Sequence, residues 1–448
     1  MAVDEQRLLV DAEVTNSSAA QYERTADVGL STAPKMSSRF HALDAFRGIV
    51  VCLMILVDDS GQAYQDRFNH SPWNGLRLAD VVMPAFLFTV GSAAALAVQS
   101  QLASGKTKSM IMKAASLRGL RLFGLGIFLQ GGRFPDQYGL VQLRIPGILQ
   151  RIAFVYVAVV ALCLFASANN TAQSHWRRYR NQYVAMAGIL TLYVSLLMIA
   201  YFKMECRPSP IAPTPDCNAQ YFWDKLIFGE NHLYNSPEYL RIEECSSCSP
   251  GLCPRLTAPD WCLEPFDPEG FASSLVSITS GFVGLQFAQV YLDGLTRSGS
   301  VSNKKQWFQD AMKNIIFAFI AFMIGIPLNK NLYSLSYMFL TNFLNITTLA
   351  LIYIVFEKKG RMCLLHPMVA IGRNAILVFA LGASGIVDAI LKWVYWRRPV
   401  ENIITVGLVT SARIFGPDLG LIIFALVKIG FWIGVAIYLD RRGKYYTI

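Results

Sequence analysis

Charged residues are scarce in this 448-residue chain, where Asp, Glu, Lys and Arg make up 16% against 54% hydrophobic residues. Soluble domains carry about 25% charged residues, so this scarcity excludes a conventional soluble enzyme. The apolar excess also excludes a disordered chain. Apolar runs of about 18–24 residues recur, the length a helix needs to cross a ~30 Å hydrocarbon core. The composition therefore predicts an all-α, polytopic membrane helix bundle.

Several familiar catalytic signatures are absent as well. The sequence has no P-loop, no dinucleotide-binding glycine fingerprint, no His-Glu-x-x-His and no Gly-x-Ser-x-Gly motif. These absences count against ATP-driven transport and against a serine hydrolase. The net charge of +10 does not indicate a nucleic-acid partner, because the basic residues lie in short loops between apolar runs, where the positive-inside rule expects them.

About ten spans are predicted, with both termini cytosolic. They lie near residues 46–60, 79–100, 110–130, 145–166, 183–202, 271–292, 311–328, 333–356, 366–391 and 417–439. The segment 400–416 is ambiguous, either re-entrant or spanning. The chain divides into a disordered cytosolic tail (1–39), five spans (40–202), a large non-cytosolic loop (203–270), and five spans with a basic C-terminus (271–448).

The large loop is rich in cysteine. Six of the nine cysteines lie in it, an even number in a compartment where disulfides persist. Six cysteines allow 15 pairings, and the sequence does not choose among them. The Cys245-x-x-Cys248 spacing leaves a zinc site as the alternative. We predict disulfides and no metal, with these candidates: Cys206, Cys217, Cys245, Cys248, Cys253 and Cys262.

One of the five histidines stands among carboxylates. His70 follows Asp58 at the end of the first span and precedes Asp80 at the start of the second. Carboxylates near membrane depth are costly and are usually functional, and a carboxylate beside a histidine holds its tautomer and raises its basicity. We therefore predict a catalytic group of His70, Asp58 and Asp80. The alternative is that the carboxylates only cap or terminate helices.

Arginines inside apolar runs form a second candidate site. Bare guanidinium groups are expensive in lipid, so they face the bundle interior or snorkel to the surface. An interior cluster suits phosphates, which accept bidentate hydrogen bonds from arginine. The rival use is a structural salt bridge with Asp44, Asp58 or Asp80. The candidates for binding an anionic cofactor are Arg47, Arg118, Arg121, Arg144, Arg151 and Arg373.

Several motifs in order resemble the heparan-α-glucosaminide N-acetyltransferase family over residues 39–440. They are Leu43-Asp44-Ala45-Phe46-Arg47-Gly48, His70-Ser71-Pro72-Trp73-Asn74-Gly75 with Ala79-Asp80 and Pro84, Arg144-Ile145-Pro146-Gly147-Ile148-Leu149-Gln150-Arg151, and Asn329-Lys330-Asn331-Leu332-Tyr333-Ser334-Leu335-Ser336-Tyr337. The family's active histidine matches His70. Asp58 stands where the family carries Asn, and the chain is expected to lack the animal enzyme's luminal N-terminal domain and first span.

The resemblance implies transfer of an acetyl group from cytosolic acetyl-CoA to an amino-sugar acceptor across a lysosomal membrane. Either His70 attacks the thioester to form an acetyl-imidazole, or it acts as general base in a ternary complex, which we favour. Trp73 and Asn74 are expected at the acceptor, although Trp73 also suits an interfacial anchor. A transporter of a sugar or an anion is the alternative function. An acidic dileucine string (Asp4, Leu8, Leu9) fits a lysosomal or vacuolar membrane, and a homodimer is left open.

Overall fold

The computed structural model describes residues 39–60, 63–131, 143–165, 174–206, 213–246, 257–298, 304–383, 385–396, 398 and 400–446. Within these ranges the chain is helical and forms no β-strand. Its long helices are α1 (His41–Ser60), α2 (Val82–Ala103), α3 (Lys108–Gly131), α4 (Ile148–Phe165), α5 (Arg180–Lys203), α6 (Ala219–Phe228), α7 (Phe271–Ser298), α8 (Lys304–Met323) and α9 (Leu335–Ile352). Further along the chain lie α10 (His366–Arg373), α11 (Ala375–Val378), α12 (Ile386–Trp393), α13 (Ile403–Phe415) and α14 (Pro417–Arg441), and two further four-residue helices lie at Gln65–Phe68 and His175–Arg178.

The predicted all-α membrane bundle is confirmed, but the count of about ten spans is not. Each predicted span overlaps a helix, and within the described residues six helices are long and apolar enough to cross a membrane, or seven with one bent pair. These are the helices of an integral membrane protein. The predicted tail at residues 1–39 lies outside the described residues except for Arg39.

The span predicted at 366–391 is wrong as a continuous helix. It begins at His366 with Pro367 in its first turn, as expected, but α10 stops at Arg373 and the helix continues at a 67° bend. A π-helical turn, Phe379–Ala383, follows, and α12 starts after it. The ambiguous segment 400–416 contains α13, a helix of 13 residues and hence about 20 Å long, shorter than a ~30 Å hydrocarbon core.

Two helices form the centre of the bundle. In the apolar stretch of α7, 89% of the residues are buried, and in that of α2, 72% are buried. The corresponding shares are only 17% in α5 and 28% in α14. The central pair approaches closely because Gly91 and Gly281 face each other, and a Cβ on Gly91 would overlap the Gly281 carbonyl. Small residues permit such contact between membrane helices. The site therefore rests on a rigid central pair, with the outer helices exposed.

Candidate active site

The loop that joins α1 to α2 is held by one buried carboxylate. The side chain of Asp80 is fully buried in the 3₁₀ turn Leu78–Val81 that leads into α2. Its Oδ2 accepts hydrogen bonds from the backbone N–H groups of Arg77 (2.9 Å) and Ser71 (3.2 Å). These bonds fold residues 70–80 back on the helix start, which leaves Oδ1 of Asp80 for the imidazole of His70. Asp80 thus both accepts hydrogen bonds from the loop backbone and lies beside the imidazole.

His70 and Asp80 come together as the sequence predicts. His70 Nδ1 lies 2.8 Å from Asp80 Oδ1 and 2.9 Å from the ammonium of Lys330. A ring nitrogen has a single in-plane hydrogen-bonding direction, so Nδ1 either donates to Asp80 or accepts from Lys330. With Asp80 as partner, the proton is on Nδ1 and Nε2 keeps a lone pair that accepts a proton or attacks a carbonyl.

Lys330 is a site residue that the sequence interpretation quoted in a motif but gave no role. Its loop docks on the His70 loop through two amides: Asn329 donates to Asn74 Oδ1 (3.1 Å) and Asn331 donates to the Pro72 carbonyl (3.2 Å). The Gly75 N–H also donates to the Leu328 carbonyl (2.7 Å). Lys330 could have been predicted from the sequence, because it lies just before a predicted span. Ionisable residues near membrane depth are usually functional, and this holds for a lysine as it does for the arginines.

A cavity of ≈ 60 Å³ opens beside the imidazole. Its polar lining consists of two carboxylates, one ammonium and the imidazole: Asp58, Glu269, Lys330 and His70. Its apolar lining is Met54, Val57, Ala79, Val82, Met83, Phe86 and Ile148. The next carboxylate, Asp59, is bonded elsewhere, to Lys428 at 2.7 Å. The cavity therefore joins predicted His70 and Asp58 with Lys330 and Glu269, which sequence reasoning missed.

Glu269 enters the cavity as a carboxylate held by cations. Burial alone would raise its pKa, but Arg144, Arg151 and Lys330 outweigh burial and hold the pKa of Glu269 below its usual range. Arg144 lies 2.7 Å from Glu269 Oε2 and forks onto both oxygens of Asp267 (2.7 and 2.8 Å). Glu269 is consequently ionised near neutral pH.

Two of the six predicted phosphate-binding arginines are committed to this acidic segment. Arg144 pairs with Asp267 and Glu269, while buried Arg151 donates to the Pro268 carbonyl (2.5 Å) and to Ser274 (3.2 Å). Arg47, Arg118 and Arg373 line a separate cavity, called the arginine cavity below. In the part of the chain that the structure describes, neither Arg144 nor Arg151 lines it. The structure thus separates Arg144 and Arg151 from the other four candidates. Arg144, just before α4, and Arg151, within α4, both contact the segment that leads into α7.

The other arginines line cavities away from the imidazole. Arg47, Arg118 and Arg373 line the arginine cavity, which measures ≈ 290 Å³, and Arg121 lines a neighbouring cavity that shares Arg118 and Tyr156 with it. Arg47 makes one of the salt bridges considered from sequence, with Asp44 (3.7 Å), and Arg373 pairs with Asp440 (2.7 Å), a partner that was not considered from sequence. Within the described ranges, neither Arg118 nor Arg121 has an ion-pair partner. Phe86 lines both the arginine cavity and the His70 cavity.

Trp73 packs on the large loop, whereas Asn74 is exposed and bonds to Asn329 of the Lys330 loop. Trp73 is 6% exposed among Tyr239, Phe266 and Leu332, and its indole donates to the Pro213 carbonyl (3.0 Å). The described lining of the His70 cavity includes neither Trp73 nor Asn74. Their contacts hold the large loop and the Lys330 loop against the His70 loop.

The large loop is stapled by disulfides, as predicted. Cys206 bonds to Cys217, and Cys245 bonds to Cys262, which removes Cys245 from the zinc alternative. Cys248 and Cys253 lie outside the described residues. Arg241 of the stapled loop donates to the His70 carbonyl (3.0 Å), so the loop contacts the candidate active site directly.

Asp224, in α6 of the same loop, gives a pH-dependent prediction. Burial raises its pKa from an ordinary 3.8 to about 8, and its Oδ1 accepts from the Phe271 N–H (2.7 Å) at the start of α7. A raised folded-state pKa stabilises the fold at low pH and loses that effect as pH rises through the folded value. We expect the wild-type melting temperature to fall from about pH 4 to about pH 8 more steeply than that of Asp224→Asn, measured by thermal unfolding in detergent. Parallel pH curves would contradict this.

Two curated proteins resemble the chain, and no protein-family model matches it. The heparan-alpha-glucosaminide N-acetyltransferase of Mus musculus is 27% identical over 414 residues, covering 83% of this chain and 57% of the mouse protein. The Homo sapiens enzyme of the same name is 27% identical over 384 residues, covering 76% and 52%. The chain thus spans about half the length of the curated relatives it matches. These similarities support a family-level relationship between this chain and the heparan-alpha-glucosaminide N-acetyltransferases.

Proposed function

We propose that the protein is a transmembrane acetyltransferase that moves an acetyl group from cytosolic acetyl-CoA to an amino-sugar acceptor on the luminal side. The observation that carries this proposal is the pair of cavities that meet at Phe86, one holding His70 and one lined by arginines. The names of the two relatives support acetyl transfer as the reaction. We further propose a lysosomal or vacuolar membrane with both termini cytosolic.

The arginine cavity suits the anionic end of acetyl-CoA. Arg118 projects from an apolar helix and lies 5.4 Å from the ring centroid of Tyr156. With no ion pair among the described residues, Arg118 and Arg121 offer charge-assisted donors to phosphate oxygens. Arg47 and Arg373 add positive charge to the same wall while anchored by their own carboxylates. The acetyl end then lies toward Phe86 and the His70 cavity.

The imidazole supplies the proton chemistry. With Nδ1–H held by Asp80, Nε2 accepts a proton from the acceptor amine as its nitrogen attacks the thioester carbon. The C–N bond forms, the C–S bond breaks, and the proton returns from His70 to the CoA sulfur. In the rival route Nε2 itself attacks the carbon, and the acetyl-imidazole then passes the acetyl group to the amine.

The cavity charges favour an amine as acceptor. Asp58 and ionised Glu269 line the cavity, and their carboxyl groups suit an ammonium group. The bound ammonium first loses one proton to solvent, and His70 takes the second proton as the free amine attacks the thioester.

The test is acetyl transfer across a sealed membrane. The purified protein would be placed in liposomes with glucosamine inside and labelled acetyl-CoA outside, and the labelled product sought in the lumen. N-acetylglucosamine formed inside supports the proposal. Uptake of glucosamine or an anion without any thioester consumption would overturn it in favour of the transporter.

Replacing Arg118 or Arg121 with Ala is expected to weaken acetyl-CoA binding about 10- to 100-fold, because each loses a charge-assisted phosphate contact worth about 1.5–3 kcal/mol. Calorimetry with acetyl-CoA measures the loss of affinity. The same measurement with dephospho-CoA shows which phosphate the arginine contacts. Lys225→Ala, at a side chain 54% exposed in α6, is the matched charge control. Wild-type affinity in both folded arginine variants would move the phosphates to Arg47 and Arg373.

A further inference from the structure

We infer that Phe86 and the apolar wall of the His70 cavity set the length of the acyl group that the protein transfers. This inference rests on the proposed function and adds the residue that determines donor specificity. The acyl group passes from the CoA sulfur to the acceptor nitrogen, and the amine proton reaches the sulfur through His70. Only the acyl chain that fits beside the imidazole during this transfer is selected.

The volumes of the two cavities differ in a way that suits a short acyl group. The His70 cavity measures ≈ 60 Å³, against ≈ 290 Å³ for the arginine cavity. A cavity of about 150 Å³ accepts benzene, with six heavy atoms, so by proportion ≈ 60 Å³ accommodates about two to three. An acetyl group has three heavy atoms. A butyryl group has five and exceeds the available space.

Phe86 stands where the acyl group has to turn from one cavity into the other. It is one residue that lines both cavities, on the buried face of α2, and it is 8% exposed. Its ring packs edge-to-face on Phe379, at 6.5 Å between centroids and 82° between planes. Phe379 belongs to the arginine cavity and opens the π-helical turn, a feature frequent at functional sites.

The wall around Phe86 is built to resist expansion. α2 is one of the two central helices, and the Thr89 hydroxyl donates to the Phe86 carbonyl (2.8 Å) one turn further on. Met54 and Met83 belong to the apolar lining of the cavity. Close-packed interiors respond to a single extra methylene, so a longer acyl chain has to displace these side chains.

The experiment compares acyl-CoA donors of increasing length. Acetyl-, propionyl-, butyryl- and hexanoyl-CoA would be offered with glucosamine to the wild-type protein and to Phe86→Ala, and kcat/KM measured for each. An added methylene in an apolar pocket changes kcat/KM by about 10-fold or more. We expect the wild type to favour acetyl over butyryl by at least about 10-fold, and Phe86→Ala to shift that ratio toward butyryl by at least about 10-fold.

Two further variants keep the test decisive. Phe86→Leu retains a packed helix and is expected to shift the ratio in the same direction by less, so it serves if Phe86→Ala does not fold. Ile376→Ala is the matched control, because Ile376 lines the arginine cavity and is not among the described lining residues of the His70 cavity. It is expected to leave the butyryl-to-acetyl ratio unchanged, whatever it does to KM.

The outcomes separate this inference from the proposed function. Acetyl transfer by the wild type with an unchanged ratio in folded Phe86→Ala and Phe86→Leu would overturn the inference alone. The same applies if the wild type uses hexanoyl-CoA as well as acetyl-CoA. A wild-type protein that transfers no acyl group from any donor would overturn the proposed function, and the inference with it.

Discussion

Replacing His70 with Ala is expected to slow acetyl transfer by about 10²–10⁴-fold, the usual cost of removing a general acid or base. Acetyl-CoA affinity should stay largely intact, because the imidazole lies in the small cavity and the proposed phosphate ligands lie in the other. Transfer is measured as kcat/KM with labelled acetyl-CoA, and affinity by calorimetry on the same preparation. Loss of both together would place the donor's reactive end differently from the proposal.

Folding is the control for this variant, since the His70 carbonyl also accepts from Arg241 and Arg77. These backbone contacts do not need the imidazole, so the melting temperature should remain near that of the wild type. Asp80→Asn is expected to cost less in transfer rate if Asp80 only orients the ring. A folded His70→Ala protein that transfers acetyl groups at the native rate would refute the catalytic assignment and favour the transporter.

Single-turnover mixing distinguishes the two routes through His70. Without acceptor, the acetyl-imidazole route leaves a labelled enzyme and free CoA, whereas the general-base route leaves bound acetyl-CoA intact. We expect the second result. Labelled protein that disappears in His70→Ala would establish the covalent route instead.

Local rules predicted the contact between His70 and Asp80 because the two residues are close in sequence. His70 and Asp80 are ten residues apart, in one loop between two spans, so the contact at 2.8 Å follows from a short connection. Lys330 lies 260 residues away from His70, and apolar run lengths carry no information on which loop packs on which. The large loop was predicted correctly as disulfide-bonded, while its pairings needed the structure.

The partners of Arg144 and Arg151 could not be predicted from helix periodicity, and Arg144 itself lies before α4, which begins at Ile148. Asp267 is 123 residues from Arg144, beyond the large loop. Run length also failed at the predicted span 366–391, because hydropathy registers apolar content and not the bend at buried Asn374. An arginine inside the bundle either binds a ligand or forms an ion pair with a carboxylate. Only the positions of the carboxylates in the folded protein decide between these two roles.

The second large effect is expected from Arg144→Ala, which should lower the free energy of unfolding by about 3 kcal/mol, near the lower end for breaking a buried ion pair. Asp267 is fully buried and the Glu269 side chain is 9% exposed, so removing the guanidinium leaves two carboxylates without their shared cation. Acetyl transfer should also fall, because Glu269 lines the His70 cavity. Unfolding is measured by denaturant titration of the purified protein in detergent micelles.

Two further variants serve as controls for the Arg144→Ala measurement. Lys225→Ala breaks an exposed ion pair with Glu230 and should cost less than about 1 kcal/mol, the usual limit for surface pairs. Asp267→Asn in the Arg144→Ala background removes one stranded charge and should restore part of the lost stability, since the cost arises from unpaired buried carboxylates rather than from lost packing. If Arg144→Ala unfolds at the wild-type denaturant concentration but binds acetyl-CoA more weakly, Arg144 is a phosphate ligand, as its sequence position first suggested.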